Sequence, residues 1–80
     1  MKVCVADLEA NGFLEDADCV WCGVFIDTKT EEVTEFRPNQ VQDMLRFMET
    51  LDVCVFHNGT GYDYPLLRKL YDFDFKGVRI

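Results

Sequence analysis

Asp7 and Glu9 stand two residues apart where a short apolar run, Val3 to Ala6, comes to its end. In an extended chain residues i and i+2 point to the same side. The pair therefore sets two carboxylates side by side. Such neighbours repel unless a cation lies between them, and oxygen ligands of this kind suit Mg²⁺ or Mn²⁺. Taken alone, such a pair arises often by chance and reads first as two acids entering a solvated loop. A third carboxylate, Asp63, follows another apolar run, Val53 to Phe56, and the loop His57-Asn58-Gly59-Thr60-Gly61. It precedes a helical pattern, where an acid is stabilised by the helix dipole by about a few tenths of a kcal/mol. If the first and fourth strands are neighbours, Asp63 reaches the same cations as Asp7 and Glu9.

The other reactive side chains carry less. Cys19 and Cys22 form one CxxC, but a structural zinc site needs four ligands, and His57 is the only histidine. Cys4 and Cys54 lie inside apolar runs, where cysteine behaves as a small hydrophobe. Four reduced thiols, with no disulfide and no zinc, are expected. Fifteen acidic against eight basic residues give a net charge of −7. A protein that grips nucleic acid through many phosphates is usually basic, so phosphate near this chain calls for bound cations. No apolar run approaches the ~18 residues of a membrane span, no signal peptide is evident at the N-terminus, and a cytoplasmic setting is expected.

The elements that must position these groups are legible in outline. Val3 to Ala6 suits a strand buried on both faces. Val20 to Ile26 and the alternating Glu32 to Phe36 read as a hairpin about a turn at residues 27–30. Pro38-Asn39 opens a helix, with Asn39 as N-cap and Gln42 completing a capping box. Val41, Met44, Leu45, Met48 and Leu51 form its apolar stripe, widened by Phe47. Val53 to Phe56 is another strand. Leu66, Leu67, Leu70 and Phe73 mark a second helix, with Pro65 in its first turn. Val78 to Ile80 begins a last strand. The order β-β-β-α-β-α-(β) predicts an α/β mixed sheet with helices in one domain over residues 1–80, with the first and fourth strands adjacent and parallel.

Two segments together are recognisable. Asp7-Leu8-Glu9-Ala10-Asn11, followed by Phe56-His57-Asn58-Gly59-x-x-Tyr62-Asp63-x-Pro65-x-Leu67, closely resembles the N-terminal part of the proofreading exonuclease domain of phage-type family A DNA polymerases. That domain belongs to the DEDD (DnaQ-like) superfamily and has a ribonuclease H-like fold. Cys22 to Ile26 resembles its second strand, and the likeness covers nearly the whole chain. The resemblance implies two-metal hydrolysis at the 3′ end of single-stranded DNA. Asp7 would bridge both metals, Glu9 would bind the water-activating one, and Asp63 would hold the second through water. Leu8, Ala10 and Asn58 would neighbour the terminal nucleotide, and Tyr62 would stack on a base or serve packing. His57 would be a structural or supporting residue.

The family's third motif supplies a water-orienting Tyr or His and a fourth carboxylate. No YxxxD or HxxxxD follows Asp63 in these 80 residues. The expectation is thus a domain truncated at its C-terminus, inactive or weak on its own. Two other readings fit the composition. One is a non-catalytic small acidic phage protein that mimics DNA or binds a host or replication protein. The other is half of a split enzyme that works with the remaining polymerase chain.

Overall fold

A computed structural model describes all residues, Met1 to Ile80. The elements follow in the order β1 (Val3–Ala10), β2 (Val20–Asp27), β3 (Val33–Phe36), a 3₁₀ turn (Pro38–Gln40), α1 (Val41–Met48), β4 (Val53–Phe56), a π-helical turn (Gly59–Asp63), α2 (Tyr64–Tyr71) and β5 (Val78–Arg79). The strands form one mixed sheet in the order β3-β2-β1-β4-β5. β1 lies at its centre, antiparallel to β2 and parallel to β4, with Cys4 opposite Cys54 and Ala6 opposite Phe56. β4 and β5 are parallel and joined through α2. This is the α/β mixed sheet, with β1 beside β4, that the order of the elements predicts.

One face of the sheet carries the core. Cys4, Ala6 and Leu8 from β1, Phe25 from β2, and Cys54 and Phe56 from β4 pack with Met44, Leu45 and Met48 of α1 and Leu66 and Leu67 of α2. The Phe25 ring meets Phe36, Phe47 and Phe56 edge-on, with centroids 5.8, 5.3 and 6.4 Å away, a geometry aromatic quadrupoles favour. The opposite face is bare. Val5, Ile26 and Val33 are 47, 42 and 56% exposed.

Three expectations are corrected here. β1 is covered on one face only, because both helices pack on the same side. A four-residue run with apolar residues in every position holds no period that reveals this. β1 also runs on to Ala10, since β2 pairs with it as far as Glu9 and Ala10; the paired acids lie within the strand rather than beyond it. Finally, Asn39 is not the N-cap. The chain enters through the 3₁₀ turn, where the Arg37 backbone N–H donates to Gln40 Oε1 at 2.9 Å, and the α-helix begins only at Val41.

Candidate carboxylate site

β1 alternates between buried and exposed residues along its length, and the alternation sorts the acids. Cys4, Ala6 and Leu8 face the core, while Val5, Asp7 and Glu9 face the bare side. Asp7 lies opposite Val24 of β2, and Glu9 opposite Cys22. Both carboxylates are exposed and share one face of the central strand.

Asp63 approaches Asp7 from the other chain segment, near enough for the Asp7 charge to act on it. β4 ends beside β1, with Phe56 opposite Ala6. The chain then makes the wide π-helical turn, in which Tyr62 N–H and Asp63 N–H both donate to Asn58 O, at 2.8 and 3.3 Å. Two glycines make the turn possible by close approach. A Cβ at Gly59 would lie 2.6 Å from Cε2 of Tyr64, and one at Gly61 would lie 2.7 Å from Asn58 Oδ1. The turn delivers Asp63 to the start of α2 with its side chain 5% exposed, the one charged residue in the core. Burial pushes its carboxyl up to about 6, and the nearby negative charge of Asp7 adds to the rise. Its own backbone N–H, that of Leu8, and His57 partly offset this.

The remaining predicted site residues fall in distinct places. The Leu8 side chain is 4% exposed in the core, so position 8 offers a ligand its backbone alone. Ala10 is half-buried against the core, and Asn58 and His57 are exposed. Tyr62 is half-buried, and its hydroxyl donates to Gly12 O at 2.9 Å, holding the loop between β1 and β2.

Two residues that sequence reasoning passed over share that task. Lys69 Nζ donates to the carbonyls of Leu14, Glu15 and Ala17 at 2.8, 3.0 and 3.1 Å. Tyr71 Oη accepts from Val20 N–H at 2.9 Å. Tyr62, Lys69 and Tyr71 lie in or just before α2, so the segment that begins with Asp63 is fastened to the loop that follows Asp7 and Glu9. No local signal marks such bonds, because donor and acceptor lie some fifty residues apart.

The donor set is all hard oxygen, the type that Mg²⁺ or Mn²⁺ takes. The electrostatics match: Asp7 raises the proton affinity of Asp63, a repulsion that a cation relieves. No three of the His, Cys, Asp and Glu side chains are gathered closely enough to hold an ion as they stand. The four cysteines are free thiols; Cys4 and Cys54 are buried, with burial pushing Cys54 up to about 12. Two clefts border segment 72–77, and neither is lined by Asp7, Glu9 or Asp63. No helix is long and apolar enough to cross a membrane.

No family model matches the chain. It is similar to the DNA-directed DNA polymerase of Escherichia phage T7, with 38% identity over 73 aligned positions that cover 82% of this chain and 10% of that enzyme. The DNA-directed DNA polymerase of Enterobacteria phage T3 gives 37% identity over 73 positions, again 82% and 10%. The chain thus spans about a tenth of the length of the curated relatives it matches. Among solved structures, the family B DNA polymerase of the hyperthermophilic archaeon Pyrobaculum calidifontis superposes with a TM-score of 0.70 at 16% identity, over 90% of this chain and 11% of that one. The chain is therefore similar in sequence to a segment of phage DNA polymerases, and it shares its fold with a segment of the archaeal polymerase.

Proposed function

We propose that this chain is the carboxylate-bearing part of a metal-dependent 3′→5′ exonuclease domain, acting on the 3′ end of single-stranded DNA. What supports the reading is the exposure of Asp7 and Glu9 on one face of the central strand, with a buried Asp63 near enough for the Asp7 charge to raise its proton affinity. The similarity to phage polymerases supports the same reading.

Divalent cations bound there would supply an activated water and offset charge on the scissile phosphate. Asp7 and Glu9 would hold such a charge at the strand surface. Asp63 contributes only when deprotonated, and burial keeps it protonated more readily than a free carboxyl. The Leu8 backbone N–H and His57 favour its ionised form. Nothing after Asp63 matches the motif that would orient the attacking water. Positioned proton transfer is typically worth about 10²–10⁴ in rate, and misplacement by an ångström about a further 10². The 80 residues alone are therefore slow or silent as a nuclease, while retaining cation-dependent binding.

The test is fluorescence anisotropy of a labelled single strand with a free 3′ hydroxyl, titrated with the chain in Mn²⁺ and in EDTA. Binding that needs Mn²⁺ and is lost in Asp7→Ala is the expected result. Binding indifferent to both the cation and Asp7→Ala contradicts the reading. Rapid digestion unchanged by Asp7→Ala identifies a contaminating nuclease.

A further inference from the structure

We propose that Trp21 is a stacking platform for a nucleobase of the strand whose 3′ end the carboxylates hold; this deepens the function proposed above and rests on it.

Of the seven Phe, three Tyr and one Trp, only Phe13 and Trp21 are exposed, at 82 and 54%. The rest are buried or half-buried. A single exposed aromatic on a surface needs no explanation. These two, however, both belong to the connection that leaves the carboxylate strand and returns along β2.

Trp21 is also placed by a break in the sheet. Glu9 pairs with Cys22 and Ala10 pairs with Val20, so Trp21 is an extra residue with no partner on β1. Such bulges re-aim a side chain and are common beside functional sites. Val20 on one side is 1% exposed in the core, and Cys22 on the other shares a face with Glu9. The bulge takes the largest side chain of the strand out of this alternation and leaves it in solvent. Its backbone is one strand away from the Glu9–Ala10 peptide, a spacing of about 4.8 Å. An indole there is within reach of the bases nearest a terminal phosphate held at Asp7 and Glu9.

The electrostatics favour stacking over any phosphate grip. The chain carries −7 overall, and Glu9 is exposed on the neighbouring strand. Base-aromatic stacking needs no positive charge and tolerates any base, because every base has a π-face. Position 21 has no sequence neighbour of positive charge, the flanking residues being Val20 and Cys22.

Trp21 is the only tryptophan, so its emission reports on this residue alone. The experiment titrates the 80-residue chain in Mn²⁺ with oligothymidine and with an oligomer of the same length that lacks bases. Oligothymidine should quench the emission saturably, in step with the anisotropy of a labelled strand, and the abasic oligomer should not quench. Trp21→Ala should weaken oligothymidine binding by roughly 5- to 150-fold, the range of one stacked base, and Trp21→Phe should restore most of it. Circular dichroism and melting of the two variants should match the native chain, since the side chain is half in solvent. Asp7-dependent binding without quenching, and unaltered in Trp21→Ala, overturns the stacking role and leaves the carboxylate site standing. Equal quenching by the abasic oligomer also overturns it. Absence of any binding overturns both.

Discussion

The two faces of the sheet differ in what they ask of their residues. On the covered face Cys4, Phe25, Cys54, Leu66 and Leu67 are at most 1% exposed, and interlocking rings fill the space beneath α1 and α2. On the bare face Val5, Ile26 and Val33 are 42–56% exposed, and they share it with Asp7 and Glu9. The fold is held by the first face, and the chemistry proposed for the chain is placed on the second. β1 serves both, since its alternate residues belong to opposite faces. Asp63 is the exception, because it is a functional candidate drawn from the covered side. Its protonation is where stability and site chemistry conflict.

The largest expected effect lies on the covered face. Leu67→Ala removes a fully buried side chain, which costs about 2–5 kcal/mol. In a domain of this size that approaches the whole stability. Urea unfolding measures it, and a loss below ~1 kcal/mol would show that the covered face does not carry the fold.

Asp63 gives the next effect, with a definite sign. Its folded pKa, about 6, exceeds the ordinary carboxyl value of 3.8, so the folded chain binds more protons than the unfolded one between these values. Stability therefore falls as pH rises through roughly 4 to 6. The loss is at most about 3 kcal/mol, at 1.36 kcal/mol per pKa unit. Asp63→Asn should flatten this pH dependence and stabilise the chain at pH 7.5. Thermal melts at pH 4.5 and 7.5 check this, and an unaltered slope in the variant contradicts it.

A smaller effect is expected where the two chain segments are tied together. Lys69→Met removes three hydrogen bonds to the loop between β1 and β2. An exposed amine exchanges such bonds with water, so the net cost is about 1–2 kcal/mol. Amide exchange should quicken in residues 11–19 before it does in β4. Uniform quickening would show the tie to be global rather than local. The smallest effect is on the bare face: Val5→Thr, at a position 47% exposed, should change stability by less than about 0.5 kcal/mol. A larger loss in the isolated chain would mean that this face is packed in solution.

What was legible in the sequence follows the same division. The order of elements, the β1–β4 pairing and the helical stripe at Met44, Leu45 and Met48 come from periodicity and turn chemistry, which are local. The Asp7–Glu9 pair was legible because two-residue spacing fixes a common face. The bareness of that face was not, since Val3 to Ala6 is apolar at every position and one-sided burial depends on where α1 and α2 pack. The bulge at Trp21 arises from pairing across two strands, and the Lys69 contacts cross some fifty residues. The helix start was misplaced because Asn39 has cap chemistry, whereas Pro38 directs the chain into a 3₁₀ turn.

In the function proposed above, Asp7, Glu9 and Asp63 act together as a cation site. Electron paramagnetic resonance of Mn²⁺, titrated with the chain at pH 7.5, tests it most directly through the loss of the free-ion signal. Saturable binding is expected, strongly weakened in Asp7→Asn, weakened in Asp63→Asn, and unchanged in Glu31→Gln, an acid in the β2–β3 turn far from the site in sequence. Equal binding by the native chain and all three variants would mean that Mn²⁺ merely condenses on a protein of charge −7, and the carboxylate site would fall.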